Sequence, residues 1–240
     1  MSDYIATTSF ADLPISDELR KGISERGYTV PTPVQAAVFA PILEGRDMIV
    51  RSKTGTGKTA AFGIPLLERI AAGTRKASAL VLCNTRELAL QVAQEIEALG
   101  KHKDLRVVAI YGGAGMGAQT DALTEGAEII VGTPGRVYDH IRRGNLKLDS
   151  TRIAVLDEAD EMLSAGFYEE VTRILDHLPG DRQTLLFSAT VPRTSSSSRR
   201  STCATRRPSC SPATSSPWST STTCSTTSSI SIRSRGTCST

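Results

Sequence analysis

"MIVRSKTGTGKTAAFGIPLLERI", residues 48–70, places a glycine-rich turn between a short apolar run and a segment of helical period. The backbone N–H groups of Gly55–Thr59 can wrap phosphate groups, and the N-terminus of the following helix adds a favourable dipole. Lys58 would reach the β and γ phosphates, and the Thr59 hydroxyl would ligate Mg²⁺. The strict form of this motif has Gly where Ser52 stands here, so an ordinary glycine-rich turn is the alternative interpretation.

Six short runs of the chain are continuously apolar and rich in Val, Ile and Leu. They are DMIV (47–50), ALVLC (79–83), RVVAIY (106–111), EIIVG (128–132), IAVLD (153–157) and TLLFSA (184–189). Continuous apolar runs are typical of strands that are buried on both faces. Because helical segments lie between them, the pattern predicts an α/β fold with a mostly parallel central sheet flanked by helices. Ligands of such sheets bind beyond the carboxyl ends of the strands.

One of the intervening segments, NTRELALQVAQEIEALG (84–100), has a clear helical period. Its apolar stripe consists of Leu88, Val92, Ile96 and Leu99. Asn84, with Glu87 three residues later, is the predicted N-terminal cap, and Gly100 the predicted end. Cys83, which closes the preceding apolar run, is interpreted as a small core residue.

The chain divides by composition near residue 194. Of its 28 basic residues six are Arg within 194–240, and none of its 25 acidic residues lies there, so residues 1–193 carry a net charge of −3. The overall charge of +3 therefore says nothing about nucleic-acid binding by the first part. Residues 194–240 contain 17 Ser and 11 Thr. Because so many residues are polar, the segment has too little apolar surface to offset the entropy cost of ordering. The predicted organisation is a folded unit over 1–193 and a disordered tail over 194–240.

Two carboxylates follow directly after the fifth apolar run. Asp157 ends RIAVLD and Glu158 comes next. Nucleotide hydrolysis needs one carboxylate to hold hydrated Mg²⁺ and a second to orient or deprotonate the attacking water. The alternative is that these acids only favour the first turn of the next helix.

Together these motifs resemble a DEAD-box RNA helicase, specifically its first RecA-like lobe. Asp157–Asp160 reads DEAD, Ser188–Thr190 reads SAT, and residues 27–35 read GYTVPTPVQ, similar to the adenine-recognition motif of the family. The resemblance implies ATP, because Gln35 can bond to the adenine edge and Phe10 can stack on its ring. It also accounts for Ser52, since the family usually has Ala there. The implied ATP and Mg²⁺ site comprises Phe10, Gln35, Thr54, Gly55, Thr56, Gly57, Lys58, Thr59, Asp157 and Glu158.

Three further motifs resemble the RNA-contacting set of the family: NTRELA (84–89), GG (112–113) and TPGR (133–136). Arg86 and Arg136 can pair with phosphates, while hydroxyls and glycine amides donate hydrogen bonds. The implied RNA-binding residues are Thr85, Arg86, Gly112, Gly113, Thr133, Gly135 and Arg136. No base-reading residue is evident, so sequence-independent contacts to the RNA backbone are expected. His102, His140 and His177 match nothing in the pattern and are interpreted as surface residues.

The resemblance implies that Asp160, Ser188 and Thr190 couple the nucleotide site to closure of a second lobe. Such helicases use an Arg-rich motif of that second lobe, and nothing after Ser188 resembles it. A change of reading frame near codon 194 is one hypothesis for the tail, and a genuine Arg/Ser-rich tail is the other. The family function is ATP-dependent RNA unwinding; the alternative is a non-catalytic module that binds ATP or RNA, or a fragment that interacts with a partner. With neither a signal pattern nor a long apolar stretch, the expected location is the cytoplasm, with no membrane partner.

Overall fold

The computed structural model describes residues 9–52 and 55–190, together with the backbone of 222–224 and 232–234. A 3₁₀ turn at Phe10–Asp12 comes first. The helices of the described residues are α1 (Asp17–Glu25), α2 (Pro33–Leu43), α3 (Lys58–Arg69), α4 (Arg86–Leu99), α5 (Met116–Thr124), α6 (Pro134–Arg142), α7 (Ala159–Ser164) and α8 (Tyr168–Asp176). The strands are β1 (Met48–Arg51), β2 (Ala79–Leu82), β3 (Val107–Ile110), β4 (Ile129–Gly132), β5 (Ile153–Leu156), β6 (Gln183–Ser188), β7 (Thr222–Cys224) and β8 (Ile232–Ser234).

The strands form one sheet in the order β3-β4-β2-β5-β6-β1-β8-β7. All pairings among the first six strands of this order are parallel. β8 pairs antiparallel with β1, and β7 pairs antiparallel with β8. The six apolar runs of the sequence are the six parallel strands, so the predicted α/β architecture is confirmed. The predicted tail over 194–240 lies outside the described residues apart from these two three-residue segments.

The six parallel strands pack on a hydrophobic cluster at each face. In β2 and the residue after it, Ala79, Val81 and Cys83 belong to one hydrophobic cluster, whereas Leu80 and Leu82 belong to the other. Helices α1–α4 contribute to the first cluster, and α5–α8 pack on the second. Burial on both faces is the reason why the strands read as continuous apolar runs. Cys83 is buried as expected of a core residue, and burial raises the pKa of its thiol, with Asp157 and Glu158 adding to the effect.

The predicted start of α4 is displaced by one residue. The cap is Thr85, whose side-chain oxygen accepts a hydrogen bond from the backbone N–H of Leu88 at 3.2 Å. Asn84 had been predicted for this position, but its side-chain oxygen Oδ1 is buried without a hydrogen-bond partner in the described residues. Since Asn and Thr are both good caps, the strand that precedes them decides which residue reaches the helix.

Candidate functional site

The parallel strands bring the predicted motifs to one edge of the sheet, because the carboxyl ends of parallel strands lie side by side. The glycine-rich turn follows β1 and leads into α3, whose first residue is Lys58. Gly57 caps α3 with φ of 78°, a left-handed conformation that favours glycine. The free amides of the first turn of α3 therefore face the turn, as anion binding requires. Thr59 is half-buried in this first helical turn, and Thr54 lies outside the described residues.

Lys58 lies against both carboxylates of the acidic strand end. Its Nζ is 3.9 Å from Oδ1 of Asp157 and 3.9 Å from Oε1 of Glu158. Lys58 is only 7% exposed and Asp157 only 2% exposed. Burial raises the pKa of Asp157 to about 6, although the Lys58 ammonium opposes this shift. One buried ammonium thus holds the two carboxylates next to the phosphate-binding turn.

Asp157 and Thr59 suit a hard divalent cation. Oδ1 of Asp157 is buried and has no hydrogen-bond partner in the described residues, and carboxylate and hydroxyl oxygens are ligands that Mg²⁺ accepts. The Lys58 ammonium, 3.9 Å away, lies beyond hydrogen-bond distance of this oxygen, so a metal ion or an ordered water would still satisfy it. Glu158 has φ of 54° and stands at the N-cap of α7. The residues present therefore fit a magnesium site.

The segment 27–35 is bonded to the phosphate-binding turn through a buried amide. Gln35 donates from Nε2 to the Gly57 carbonyl oxygen at 3.2 Å and accepts at Oε1 from the Thr32 backbone N–H at 2.8 Å. The Thr32 hydroxyl donates to the Thr56 carbonyl oxygen at 3.2 Å. Thr56 and Ser52 share a further hydrogen bond between their hydroxyls. In this structure both polar groups of the Gln35 amide therefore bond to the protein.

Phe10 lies beside this segment rather than open to a ligand. It is 4% exposed, packs against Tyr28 with ring centroids 6.1 Å apart, and donates its backbone N–H to the Thr29 carbonyl oxygen at 3.2 Å. Arg20 fixes the turn by donating to several of its carbonyl oxygens, among them those of Phe10 and Ile15 at 3.3 and 3.2 Å. Sequence reasoning missed Arg20, because a single Arg on an amphipathic helix carries no signal of what it contacts.

The three motifs assigned to RNA follow β2, β3 and β4 at the same edge. Thr85, Arg86, Gly112 and Gly113 are exposed, while Thr133, Gly135 and Arg136 are half-buried. The Arg86 guanidinium lies 5.1 Å from the centre of the Tyr111 ring, a cation–π contact. The Arg136 guanidinium nitrogen Nη1 donates to the Ala114 carbonyl oxygen at 3.0 Å. The three motifs thus lie at the same edge of the sheet, in the loops after the strands and in the first turns of α4 and α6.

The residues assigned to coupling form one hydrogen-bonded group. Thr190 donates to Oδ2 of Asp160 from its backbone N–H and from its hydroxyl, both at 2.8 Å, and the Ser188 hydroxyl donates to the Thr190 carbonyl oxygen. Burial alone would raise the pKa of Asp160, but the two hydrogen bonds from Thr190 bring it below its usual value. The Ser188 carbonyl oxygen also accepts from the Ser52 backbone N–H at 3.0 Å. This group therefore joins β6 to the turn after β1 and to α7.

One histidine interpretation was wrong. His140 is 0% exposed and lies against Gln119 and Asn145, whereas His177 is exposed and His102 is half-buried beside Glu25. Sequence reasoning also missed Gln119, which is buried. A polar residue on the inner face of a short helix cannot be told from an exposed one without knowing what covers that face.

The fold and this edge of the sheet define a RecA-like α/β domain with a phosphate-loop motif. The chain belongs to the DEAD/DEAH box helicase family, whose family model matches residues 32–197. It is 49% identical over 185 residues to the DEAD-box ATP-dependent RNA helicase CshA of Geobacillus kaustophilus, an alignment that covers 77% of this chain and 40% of that protein. It is 48% identical over 183 residues to the ATP-dependent RNA helicase CshA of Limosilactobacillus reuteri, covering 76% of this chain and 37% of that protein.

A solved structure agrees with this assignment. The crystal structure of a DEAD box protein from the hyperthermophile Methanococcus jannaschii is 44% identical, with a TM-score of 0.74, and the match covers 77% of this chain and 51% of that one. The chain thus spans about two-fifths of the length of the curated relatives cited above. Within the described residues, none of the helices has the length and apolarity to cross a bilayer.

Proposed function

We propose that this chain is the ATP-binding lobe of an ATP-dependent RNA helicase. The observation that carries the proposal is the buried Lys58, 3.9 Å from both Asp157 and Glu158, beside a glycine-rich turn. Lys58 would neutralise the β and γ phosphates of ATP, with Gly55, Thr56 and Gly57 supplying the backbone of the turn. The proposal is supported by the family to which the chain belongs and by the similarity of the chain to two ATP-dependent RNA helicases.

The metal-binding part of the proposal rests on Thr59 and Asp157, which would hold Mg²⁺. The ion, when bound with ATP, neutralises charge that develops on the phosphates. Glu158 would orient the attacking water and accept its proton, a role suited to a carboxylate that is more exposed than Asp157. Gln35 would exchange its bond to Gly57 for one to the adenine edge.

RNA would bind along the loops that carry Thr85, Arg86, Gly112, Gly113, Thr133, Gly135 and Arg136. Because these residues offer guanidinium groups, hydroxyls and backbone amides, the contacts would be to phosphates and sugars and independent of sequence. Asp160, Ser188 and Thr190 would transmit nucleotide binding to a second lobe. We further propose the cytoplasm as the site of action, because the proteins that the chain resembles are named as ATP-dependent RNA helicases.

By itself the chain would bind ATP and RNA without efficient unwinding. An arginine supplied from outside a phosphate site is worth about 10³ to 10⁵ in rate, and the family places such arginines in the second lobe. The alternative is a module that only binds ATP, RNA or a protein partner. Robust RNA-stimulated ATP hydrolysis by the 240-residue chain alone would refute that alternative.

The test of the site is Lys58→Ala. We expect the variant to lose ATP binding or turnover by at least about 100-fold, because the replaced ammonium is the cation that pairs with the phosphates. A fluorescent ATP analogue measures binding and phosphate release measures turnover. Lys147→Ala, at an exposed lysine after α6, is the matched control and should behave as the wild type. Unchanged ATPase activity in Lys58→Ala would refute the site.

A further inference from the structure

Gln119 is a buried polar residue outside every motif of the proposed function. It is 7% exposed and is the buried residue of α5, whose other described side chains are more exposed. Polar side chains are buried at a cost unless their hydrogen bonds are made, so the partners of this amide carry information. Those partners come from the loop after β3 and from α6.

The orientation of the Gln119 amide follows from its partners. A backbone carbonyl only accepts, so the group facing the Tyr111 carbonyl oxygen at 3.0 Å is Nε2, the donor. The amide oxygen Oε1 then accepts from Nη1 of Arg136 at 3.2 Å and faces Nε2 of His140 at 3.3 Å. Both polar groups of the Gln119 amide therefore have hydrogen-bond partners.

The same logic determines the protonation of His140. Because Oε1 of Gln119 can only accept, Nε2 of His140 carries the hydrogen. On the other side of the ring, Nδ2 of Asn145 lies 3.4 Å from Nδ1 of His140 and also donates to the Thr120 hydroxyl at 3.2 Å. Nδ1 is therefore the acceptor, and the ring is the neutral Nε2–H tautomer.

These contacts connect all three RNA motifs. Arg136 of TPGR donates through the same Nη1 to Gln119 and to the Ala114 carbonyl oxygen, next to GG. The Tyr111 carbonyl oxygen accepts a hydrogen bond from Gln119, and the ring of Tyr111 makes the cation–π contact with the Arg86 guanidinium. We infer that Gln119 is a positioning residue of the RNA surface, which orients Arg136 against residues 111–114. The inference rests on the proposed function, because it gives Arg136 an RNA phosphate to bind.

The experiment is a double-mutant cycle of Gln119→Leu and Arg136→Ala in the 240-residue chain. Binding of a fluorescein-labelled 15-nucleotide oligouridylate is followed by anisotropy, and binding of a fluorescent ATP analogue serves as the second readout. Gln94→Leu, at an exposed glutamine of α4, is the matched control. We expect Gln119→Leu to weaken RNA binding about 10-fold, to leave ATP affinity unchanged, and to add little when Arg136 is already Ala.

Three outcomes would overturn the inference. The first is an RNA affinity of Gln119→Leu within twofold of wild type while Arg136→Ala is weakened. The second is a pair of effects that simply add, since that would separate Gln119 from Arg136. The third is that neither variant changes the RNA affinity, which would also refute the RNA surface of the proposed function. The Arg136→Ala result distinguishes this outcome from the first, in which that variant binds RNA more weakly.

A measurement on the wild-type chain keeps the inference testable even if Gln119→Leu does not fold. Nitrogen-15 NMR of the imidazole rings reports which nitrogen of His140 carries the hydrogen. The Nε2–H tautomer is expected, and a predominant Nδ1–H tautomer would overturn the hydrogen-bond assignment and the inference. In a folded Gln119→Leu variant, the preference for this tautomer should weaken, because only Asn145 then favours it.

Discussion

Gly57 illustrates at the scale of one residue how the phosphate-binding turn depends on the segment before it. It has φ of 78°, and a Cβ at this position would lie 2.6 Å from Nε2 of Gln35. Gly55 has nearly the same φ, 79°, but a Cβ there would meet no atom within 4 Å. A substitution at either glycine would strain the backbone, but only a substitution at Gly57 would also disturb the contact with Gln35.

We predict that Gly57→Ala is the more destabilising of the two substitutions. Left-handed backbone at a non-glycine residue costs about 1–2 kcal/mol, which both variants incur. Displacing the Gln35 amide from the Gly57 carbonyl oxygen adds about 1 kcal/mol in Gly57→Ala only. Urea denaturation of both variants measures the difference, and equal free energies of unfolding would show that Gln35 moves aside without cost.

At the scale of elements, helices α1 and α4 approach so closely that one position of α1 has no room for a side chain. A Cβ on Gly22 would lie 2.1 Å from the Leu99 carbonyl oxygen at the end of α4. On α3, by contrast, a Cβ on Gly63 would make an ordinary contact of 3.5 Å with Cγ1 of Ile96. Both glycines are buried within helices, so they form a matched pair.

We predict opposite effects for the two alanine substitutions. Gly22→Ala should lower the free energy of unfolding by about 1–3 kcal/mol, because the helices must separate to admit the methyl group. Gly63→Ala should raise it by roughly 0.5–1 kcal/mol, since glycine inside a helix is less favourable than alanine. Thermal unfolding gives both values. A neutral Gly22→Ala would mean that α1 can shift along α4.

At the scale of the whole molecule, one sheet is shared by two hydrophobic clusters, so the described residues should unfold cooperatively. A change of charge at one buried residue should then change the free energy of unfolding of all the described residues together. His140 is such a site, and its pKa is lowered, first because burial disfavours the charged ring and then because Arg136 and Arg143 repel it, with Asp139 opposing. Gln119 and Asn145 face the ring as its hydrogen-bond partners.

The sign of the pH dependence follows from this lowered pKa. Below the pKa of an unfolded histidine, about 6.5, the unfolded chain takes up a proton that the folded chain does not. We therefore predict that the contribution of His140 to the free energy of unfolding falls as pH falls from about 6.5, until the lower folded-state pKa is reached. Asp157, whose pKa is raised to about 6, contributes in the opposite direction below that pH, so the His140 contribution is measured as a difference between variants. One such group contributes at most about 1.4 kcal/mol per pH unit. In urea titrations between about pH 5 and 7, the free energy of unfolding of the wild type minus that of His140→Gln should fall as pH falls; a difference that does not change with pH would contradict the prediction.

The sequence by itself determined the six parallel strands and the glycine-rich turn. The apolar runs reveal the strands because both faces of the sheet are buried, so that no alternation interrupts them. The turn is visible because its phosphate chemistry needs particular residue types at fixed spacing, as Gly57, Lys58 and Thr59 show. Parallel pairing then implies that the motifs share one edge, which is why the predicted sites lie together.

Only the tertiary structure decided which polar residues are buried and what they contact. Gln119, His140 and Arg20 carry no local pattern, because their partners come from other elements or from carbonyl groups that any residue could present. The same holds for the cap of α4, where Thr85 rather than Asn84 meets the helix. The spacing of residues within one segment indicates which ligand that segment can bind. A hydrogen bond between two segments depends on how they pack, which neither segment specifies alone.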